Sequence, residues 1–244
     1  MESFCLGVNT VSIQRAPRRA MNLIAIETST SYCSLAVSAG DQVFSRHVLA
    51  EQRHAEILLD ELDGLLADAG LPLSGVEGVA YGEGPGAFTG LRIACGVTQG
   101  LALARNLPVV GVGTLLALAE DAGEPRVIVC IDARMSEVYH AAYLKSGDAW
   151  VEVCAPGLCA PRALPLVEGG GWIGCGSGFQ AYADLLATRL GPQLIATRPD
   201  ISPTAAAILR LARPRFERGE GKPAAMAQPI YLRDKVALKT SERQ

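Results

Sequence analysis

Short apolar runs and polar clusters alternate along the first part of the chain. Leu23–Glu27 is an apolar run that ends in a cluster of hydroxyl side chains, and two further strand-like runs cover residues 33–39 and 43–49. A Gly-Asp pair at 40–41 separates these two runs, and such a pair between strands is a hairpin signal. Residues 53–69 then place Ile and Leu side chains on one face at helical spacing. The pattern therefore predicts three strands followed by a helix.

A glycine-rich loop joins the next predicted strand to the next helix. Residues 76–81 are strand-like and lead into the loop, and a helical pattern covers about 91–105. Gly96, Gly100 and Ala104 recur every four residues in this helix. Because glycine in a helix costs about 1 kcal/mol relative to alanine, two of them indicate a packing requirement. This stripe of small side chains suits either a partner or the sheet of its own lobe. Two shorter elements follow, a strand at 109–112 and a helix at 114–120.

The second half of the chain repeats this order in outline. Its strand-like runs lie at 127–132, 137–144, 149–154 and 172–175. Two helical patterns follow, at 179–189 and 204–215, and the second has Ser202 as its expected N-cap and Pro203 at its first helical position. The predicted order is three strands, a helix, a strand, a helix and a strand, followed by a similar series. This order differs from the strict alternation of strand and helix in a doubly wound sheet. We therefore expect an α/β protein with a duplicated ribonuclease-H-like (actin-like ATPase, ASKHA) fold in two lobes.

The same pattern divides the chain into four segments. Arg15, Arg18 and Arg19 lie just before Met21, which is the reverse of a signal peptide. The folded pattern begins at Met21, so we expect residues 1–20 to be a disordered or artefactual extension. The predicted boundaries of the remainder are 21–120 for the N-terminal actin-like lobe, 121–230 for the C-terminal actin-like lobe and 231–244 for a tail.

Composition and charge narrow the classes of function. The 244 residues are 49% hydrophobic and 19% charged, which is typical of a globular protein. The net charge of −3 gives no basic excess, so we expect a partner to supply most contacts to RNA phosphates if RNA is involved. The sequence has no run of 18 apolar residues of the kind that spans a membrane. The seven cysteines include no Cys-x-x-Cys pair, so reduced thiols and a cytoplasmic location are expected.

The loop at residues 84–90, Gly-Pro-Gly-Ala-Phe-Thr-Gly, is the most distinctive motif. No Lys-Ser or Lys-Thr follows its last glycine, as a P-loop requires, and its glycine spacing differs from a dinucleotide fingerprint. Two interpretations remain for Gly84, Gly86, Thr89 and Gly90. They form a positioning turn with Thr89 as the helix cap, or the amides at the helix N-terminus bind an anion. We expect the positioning turn.

Two other loops lack residues that ATP hydrolysis needs. Residues 27–30, Glu-Thr-Ser-Thr, stand where actin-type ATPases place an Asp-x-Gly-Thr loop, and Ser29 lacks glycine's freedom to bring the backbone close to a phosphate. Asp132-Ala133-Arg134 stands where a second phosphate loop is expected and also lacks its glycine. Arg134 is expected to pair instead with Asp132 or with an acid of a partner. None of the histidines lies four residues from another, as a zinc pair would: His47, His54 and His140. We therefore predict no catalytic residue and no metal ligand.

Three stretches together resemble the bacterial TsaB (YeaZ) family. They are LIAIETST at 23–30, GPGAFTGLR at 84–92 and DARMSEVY at 132–139, and the resemblance extends from Met21 to about Lys235. It implies a non-catalytic scaffold of the machinery that forms threonylcarbamoyladenosine at the adenosine 3′-adjacent to the anticodon of ANN-decoding tRNAs. It also implies three partners: a homologous catalytic TsaD-like subunit, a TsaE-like ATPase and a TsaC-like synthase.

The resemblance also implies roles for particular residues. Catalytic relatives hold a metal through two histidines four apart, and those positions fall on Thr114 and Leu118, neither of which replaces an imidazole. The family's partner surface lies on its first two helices, which serve self-association as well as pairing with the catalytic subunit. Of the candidate interface residues, the first three are expected to face outward: His54, Arg92, Gln99, Gly96 and Gly100. No cofactor is expected on this chain alone, and the interface with the catalytic partner leaves room for a nucleotide. The alternatives are a free-standing actin-fold ATPase and a metalloprotease-like enzyme.

Overall fold

The computed structural model describes residues 20–233, which fold around two five-stranded sheets. The predictions made for residues 1–19 and 234–244 lie outside this range. The strands of the first sheet are β1 (Leu23–Glu27), β2 (Tyr32–Ala39), β3 (Gln42–Leu49), β4 (Gly78–Gly84) and β5 (Val109–Gly113). They lie in the order β3-β2-β1-β4-β5, with β2 antiparallel and β4 parallel to β1.

The second sheet repeats the arrangement of the first. Its strands are β6 (Arg126–Asp132), β7 (Val138–Ser146), β8 (Ala149–Cys159), β9 (Trp172–Cys175) and β10 (Leu194–Arg198). In space they run β10-β9-β6-β7-β8, so β6 takes the central place that β1 has in the first sheet. β7 is antiparallel and β9 parallel to β6. The predicted α/β fold, a duplicated ribonuclease-H-like and actin-like arrangement, is confirmed.

Helices cover both faces of the first sheet. The α-helices of the described residues are α1 (His54–Asp68), α2 (Phe88–Arg105), α3 (Thr114–Ala122), α4 (Gly178–Ala181), α5 (Ala183–Leu190) and α6 (Ala205–Glu217). Along β1, Ile24 and Ile26 pack into the core formed with α1 and α2, while Leu23 and Ala25 pack into the core formed with α6. Because strand side chains alternate between faces, every residue of β1 is buried.

Two helices are exchanged between the halves of the chain. α6 comes after the second sheet in sequence but packs on β1 and β2 of the first. α3 comes before the second sheet but packs on it, with Leu115 and Leu118 against Val127 and Val129. A boundary at residue 120 therefore separates the sheets in sequence, while the helices that cover them cross it. The four predicted segment boundaries stay predictions.

The structure corrects three predicted details of the second half. α6 is capped by Thr204, whose hydroxyl accepts a hydrogen bond from the backbone N–H of Ala207 at 3.2 Å, so the expected cap at Ser202 was wrong. The helical pattern at 179–189 breaks into α4 and α5 at Tyr182, whose φ of −132° is not helical. The strand β10 was missed because it is mostly exposed and carries no apolar pattern.

Candidate functional site

A cleft of about 1120 Å³ opens between the two halves of the molecule. The first half contributes the turn after β1, with Ser29 and Thr30, and the start of α2, with Gly86 and Phe88. The second half contributes the turn after β6 and the loop before α6. The expected positions of both phosphate loops therefore face the same cavity, as the duplicated fold dictates.

Glu27 lies at the end of β1 with its side chain buried. The backbone N–H of Ser29 donates to Oε1 at 2.6 Å, and the hydroxyl of Thr114 donates to Oε2 at 3.5 Å. A Cβ at Gly82 would lie only 1.9 Å from Oε2, so a side chain at position 82 would displace the Glu27 carboxyl. Burial raises the pKa of Glu27 to about 7, and the hydrogen bonds from Ser29 and Thr114 only partly offset this effect. The carboxyl therefore holds a proton in part of the population near neutral pH.

The glycines of the 84–90 loop are explained by close packing on the turn after β1. A Cβ at Gly90 would lie 1.9 Å from the carbonyl oxygen of Thr28, and a Cβ at Gly86 would lie 2.6 Å from the Cβ of Ser29. The hydroxyl of Thr28 donates to the carbonyl oxygen of Gly90 at 2.7 Å. The N–H of Ala87 donates to the carbonyl oxygen of Ser29 at 2.7 Å. These contacts hold the start of α2 against β1.

The predicted cap of α2 was wrong. The helix begins at Phe88 and Ala87 occupies the N-cap position, so Thr89 lies in the first helical turn. Its hydroxyl has no place in the capping geometry because the residue is already helical. The contacts of Gly86 and Gly90 support the interpretation of the loop as a positioning turn. The anion-binding alternative at the helix N-terminus stays a prediction.

The turn after β6 has an unusual backbone. Arg134, Met135 and Ser136 all have positive φ, at 62°, 53° and 58°. Such a run costs conformational energy for residues other than glycine, so its surroundings must hold it in place. Asp132 does so: Oδ1 accepts from the N–H of Arg134 at 2.9 Å and from the hydroxyl of Tyr182 at 3.2 Å. Arg134 Nη1 lies 3.3 Å from Asp132 Oδ2, which is the first of the two pairings expected for Arg134.

The stripe of small residues on α2 faces away from the sheet. Gly96 and Gly100 are exposed, and a Cβ at either position would meet no atom within 4 Å outside the helix's own backbone. Of the two orientations left open by the sequence, the structure therefore has the outward one. Leu103, on the same helix, is 77% exposed, and Leu59 of α1 is 56% exposed. A groove of about 420 Å³ between α1, α2 and the loop after α1 adds further apolar surface.

The remaining candidate interface residues lie in different surroundings. His54 does not face outward: it is 5% exposed, and its Nε2 lies 3.2 Å from the carbonyl oxygen of Tyr32. Arg92 is exposed and stacks its guanidinium over the ring of Phe88 at 3.8 Å. Gln99 is partly buried and donates through Nε2 to the carbonyl oxygen of Ala227 at 2.7 Å. A role of these residues in partner binding stays a prediction.

A segment near the end of the described chain, residues 227–233, crosses from α2 to the second sheet, and we call it the C-terminal strap. The hydroxyl of Tyr231 accepts a hydrogen bond from Nε of Arg92 at 3.0 Å, and its ring lies 5.1 Å from that of Phe88. At the other end Arg233 is hydrogen-bonded and ion-paired with Glu137. No periodic pattern in the sequence marks this segment, although Tyr231 and Arg233 lie within the stretch that supports the family resemblance.

The two positions that the family resemblance aligns with metal ligands lie in α3. Thr114 and Leu118 are both fully buried, and Thr114 contacts Glu27 as described above. Among residues 20–233, no three His, Cys, Asp or Glu side chains are grouped so that they could hold a metal ion. The six cysteines of this part of the chain are free thiols. Within the same range, no helix is both long and apolar enough to cross a membrane.

Comparison with known proteins finds relatives from tRNA threonylcarbamoyladenosine biosynthesis. A family model described as TsaD, tRNA N6-adenosine threonylcarbamoyltransferase, matches residues 47–171. The chain is 36% identical over 236 residues to the tRNA threonylcarbamoyladenosine biosynthesis protein TsaB of Escherichia coli, a match that covers 90% of this chain and 97% of that protein. It is 33% identical over 233 residues to TsaB of Haemophilus influenzae, covering 90% and 96%. The solved structure of YeaZ from Pseudomonas aeruginosa superposes with a TM-score of 0.80 at 37% identity, covering 87% of this chain and 100% of that one.

Proposed function

Because this chain belongs to the TsaB family, we propose that it is the non-catalytic scaffold of tRNA threonylcarbamoyladenosine biosynthesis and activates a TsaD-like catalytic subunit by pairing with it. In this proposal the partner transfers the threonylcarbamoyl group to the adenosine 3′-adjacent to the anticodon of ANN-decoding tRNAs. A TsaE-like ATPase and a TsaC-like synthase complete the system. The tRNA is contacted mainly through the partners, which accords with the net charge of −3.

The open stripe on α2 is the observation that carries the proposal. Gly96 and Gly100 leave the backbone of α2 uncovered in the isolated chain, although each glycine lowers the intrinsic stability of the helix. Small residues allow two helix backbones to approach closely, and the exposed Leu103 of α2 and Leu59 of α1 supply apolar area. A helix of a partner fits this surface better than a small ligand does, because the surface is open and extended.

The charges of the two helices also favour a partner built on the same pair of helices. α1 carries no Lys or Arg; of its acidic side chains, Glu61 and Asp68 are paired with Arg46 of β3, and the others are Glu56, Asp60 and Asp63. α2 carries Arg92 and Arg105 and no acid. If a homologous subunit crosses its own α2 over this α1, opposite charges meet on both sides of the interface. The same complementarity allows a homodimer, which we expect to compete with the heterodimer.

The lack of imidazoles at Thr114 and Leu118 supports a non-catalytic role for this chain. The two side chains are packed in the core between α3 and its neighbours, so neither offers a ligand atom to a solvent-accessible metal. Any nucleotide is expected at the interface with the catalytic partner. A free-standing ATPase would instead require the isolated chain to bind ATP, and a metalloprotease-like enzyme would require it to bind a metal ion. Metal analysis and an ATP titration of the purified chain decide between these possibilities, and stoichiometric metal or micromolar ATP affinity would count against a scaffold.

The direct test is pairing with the TsaD-like subunit from the same organism, measured by calorimetry with Gly100→Trp. The new side chain has free space around its Cβ, so the fold and melting temperature should be preserved while pairing is lost. Ala187→Trp is the matched control, because Ala187 is also a small exposed helical residue but lies on α5 in the second half. Pairing of Gly100→Trp with wild-type affinity would exclude the α2 surface, and failure of the wild-type chain to pair would exclude the scaffold role.

A further inference from the structure

The C-terminal strap touches both the surface proposed for docking and the cleft between the halves. Its first residue, Ala227, is fully buried, and its carbonyl oxygen accepts hydrogen bonds from Sγ of Cys95 at 3.0 Å and from Nε2 of Gln99 at 2.7 Å. Both donors belong to α2. The start of the strap is therefore hydrogen-bonded to the same helix that carries the open stripe of small residues.

The middle of the strap is fastened to β4. The hydroxyl of Tyr81 donates to the carbonyl oxygen of Gln228 at 3.2 Å and accepts from its N–H at 2.9 Å. The N–H of Ile230 donates to the carbonyl oxygen of Glu83 at 2.6 Å. A Cβ at Gly84 would lie 2.7 Å from the carbonyl oxygen of Ile230, so the chain passes directly over this glycine. The strap thus runs as one extended piece from α2 to the edge of the cleft.

The end of the strap contacts the turn after β6, whose backbone has positive φ angles. The guanidinium of Arg233 is hydrogen-bonded to the carboxylate of Glu137, and its Nη2 also lies 3.4 Å from the carbonyl oxygen of Arg134. Its Nη1 lies 3.6 Å from Sδ of Met135. Because three successive residues of this turn have positive φ, the turn depends on such external contacts. Tyr231 and Arg233 also line the cleft, together with Phe88 and Met135.

Arg92 is the exposed member of this chain of contacts. It lies four residues before Gly96 and eight before Gly100, so it heads the same row of the helix. Its Nε donates to Tyr231, and it forms no ion pair with a carboxylate among residues 20–233. A partner carboxylate that binds the Nε–Nη2 edge of the Arg92 guanidinium would displace the hydroxyl of Tyr231 from Nε.

We propose that the C-terminal strap couples partner docking on α2 to the backbone turn at residues 133–137 and so to the shape of the cleft. The two states are the strap bound at both ends, as observed, and the strap released at Tyr231 or Arg233. Docking biases this equilibrium through Arg92. Linkage requires the reverse as well, so a change at the Arg233 end alters the affinity of α2 for its partner. This last consequence rests on the proposed function, while the coupling inside the chain does not.

The first experiment is hydrogen exchange of the free full-length chain, read by mass spectrometry at the end of the strap opposite to each substitution. Arg92→Ala should raise the exchange rate of amides at 133–137 about threefold or more. Arg233→Ala should have the same effect on amides at 227–228 and at the start of α2. Arg105→Ala is the matched control on α2, since Arg105 donates to the carbonyl oxygen of Ser74 at 2.7 Å away from the strap. Arg126→Ala, whose side chain donates to Gly170 at 3.1 Å, is the control on the second sheet. Exchange at the opposite ends that equals that of the controls overturns the coupling.

The second experiment measures the affinity of the TsaD-like subunit for Arg233→Ala and Arg126→Ala. Arg233 lies off the α2 stripe, so a change in Kd of threefold or more for Arg233→Ala alone is expected only if the strap transmits it. An unchanged Kd for Arg233→Ala shows that docking and the turn are independent and overturns the proposal. If the wild-type chain binds no such subunit, the scaffold function fails, and the exchange experiment still decides whether the two ends of the strap are coupled.

Discussion

Replacing Glu27 with glutamine changes one buried carboxyl and keeps its shape. The pKa of Glu27 is about 7 in the folded chain against an ordinary value of 4.5, because burial disfavours the charged form. Between these two values the folded state binds more protons than the unfolded state, so the free energy of unfolding falls as the pH rises. The stabilisation is fully present below pH 4.5 and is lost as the pH passes through about 7.

The size of the effect follows from the same two pKa values. Their difference corresponds to about 3 kcal/mol in total, most of which falls between about pH 5 and about pH 8. In Glu27→Gln the amide oxygen still accepts from Ser29, and the amide NH₂ donates to the hydroxyl of Thr114, which lies beside Oε2 at present. We therefore expect the variant to lose this part of the pH dependence and to be more stable than the wild type above about pH 7 by up to about 3 kcal/mol.

Urea denaturation followed by far-UV circular dichroism across this pH range measures the effect. The quantity of interest is the difference in unfolding free energy between Glu27→Gln and wild type at each pH, because all other titrating groups cancel in it. Glu152→Gln is the control, since it makes the same change of side chain at an exposed position on β8. If the wild-type and Glu27→Gln curves run parallel from about pH 5 to about pH 8, the carboxyl is not desolvated as described and the reasoning is wrong.

Three further substitutions test other contacts by their effect on unfolding free energy. Gly96→Ala should stabilise the isolated chain by about 1 kcal/mol, because the added methyl meets nothing and helical glycine is disfavoured; an equal or lower stability would contradict an open stripe. Thr204→Ala should destabilise the chain by about 1 to 2 kcal/mol, because the cap of α6 and the hydrogen bond to Asp121 are lost together. Its control, Ser202→Ala, should leave the helix cap intact. Gly90→Ala should destabilise by about 3 kcal/mol, because the methyl would meet the carbonyl oxygen of Thr28; a soluble variant with wild-type stability would show that the start of α2 is not held there.

Much of the fold was predictable from local patterns. The helix predicted at 53–69 is α1 (His54–Asp68), and the Gly-Asp pair at 40–41 forms the turn between β2 and β3. The strand β10 was not predictable in this way, since Leu194–Arg198 is an edge strand with its side chains largely exposed. The cap of α6 also escaped prediction, because Thr204 is selected over Ser202 by its bonds to Asp121, which is 83 residues away.

The candidate site divides in the same manner. The motifs at 27–30, 84–90 and 132–134 were recognised from sequence, whereas only the tertiary structure shows that they line one cleft. The burial of His54 was not predictable because it depends on Tyr32 in a neighbouring strand. The C-terminal strap was missed because its backbone is bonded to Tyr81, Glu83 and α2, and none of these contacts leaves a periodic signal in residues 227–233.

By itself the sequence determined most of the strands and helices, with β10 and the break at Tyr182 as exceptions, and that Gly96, Gly100 and Ala104 lie on one side of α2. These properties depend on spacing along the chain, which is set by the 2-residue and 3.6-residue periods of the backbone. Only the tertiary structure decided that this side faces outward, because the other sides of α2 pack against the sheet, α1 and the strap. It also decided that α6 covers the first sheet. The apolar residues on the second face of β1 need a helix to bury them, and that helix does not have to be close to β1 in sequence.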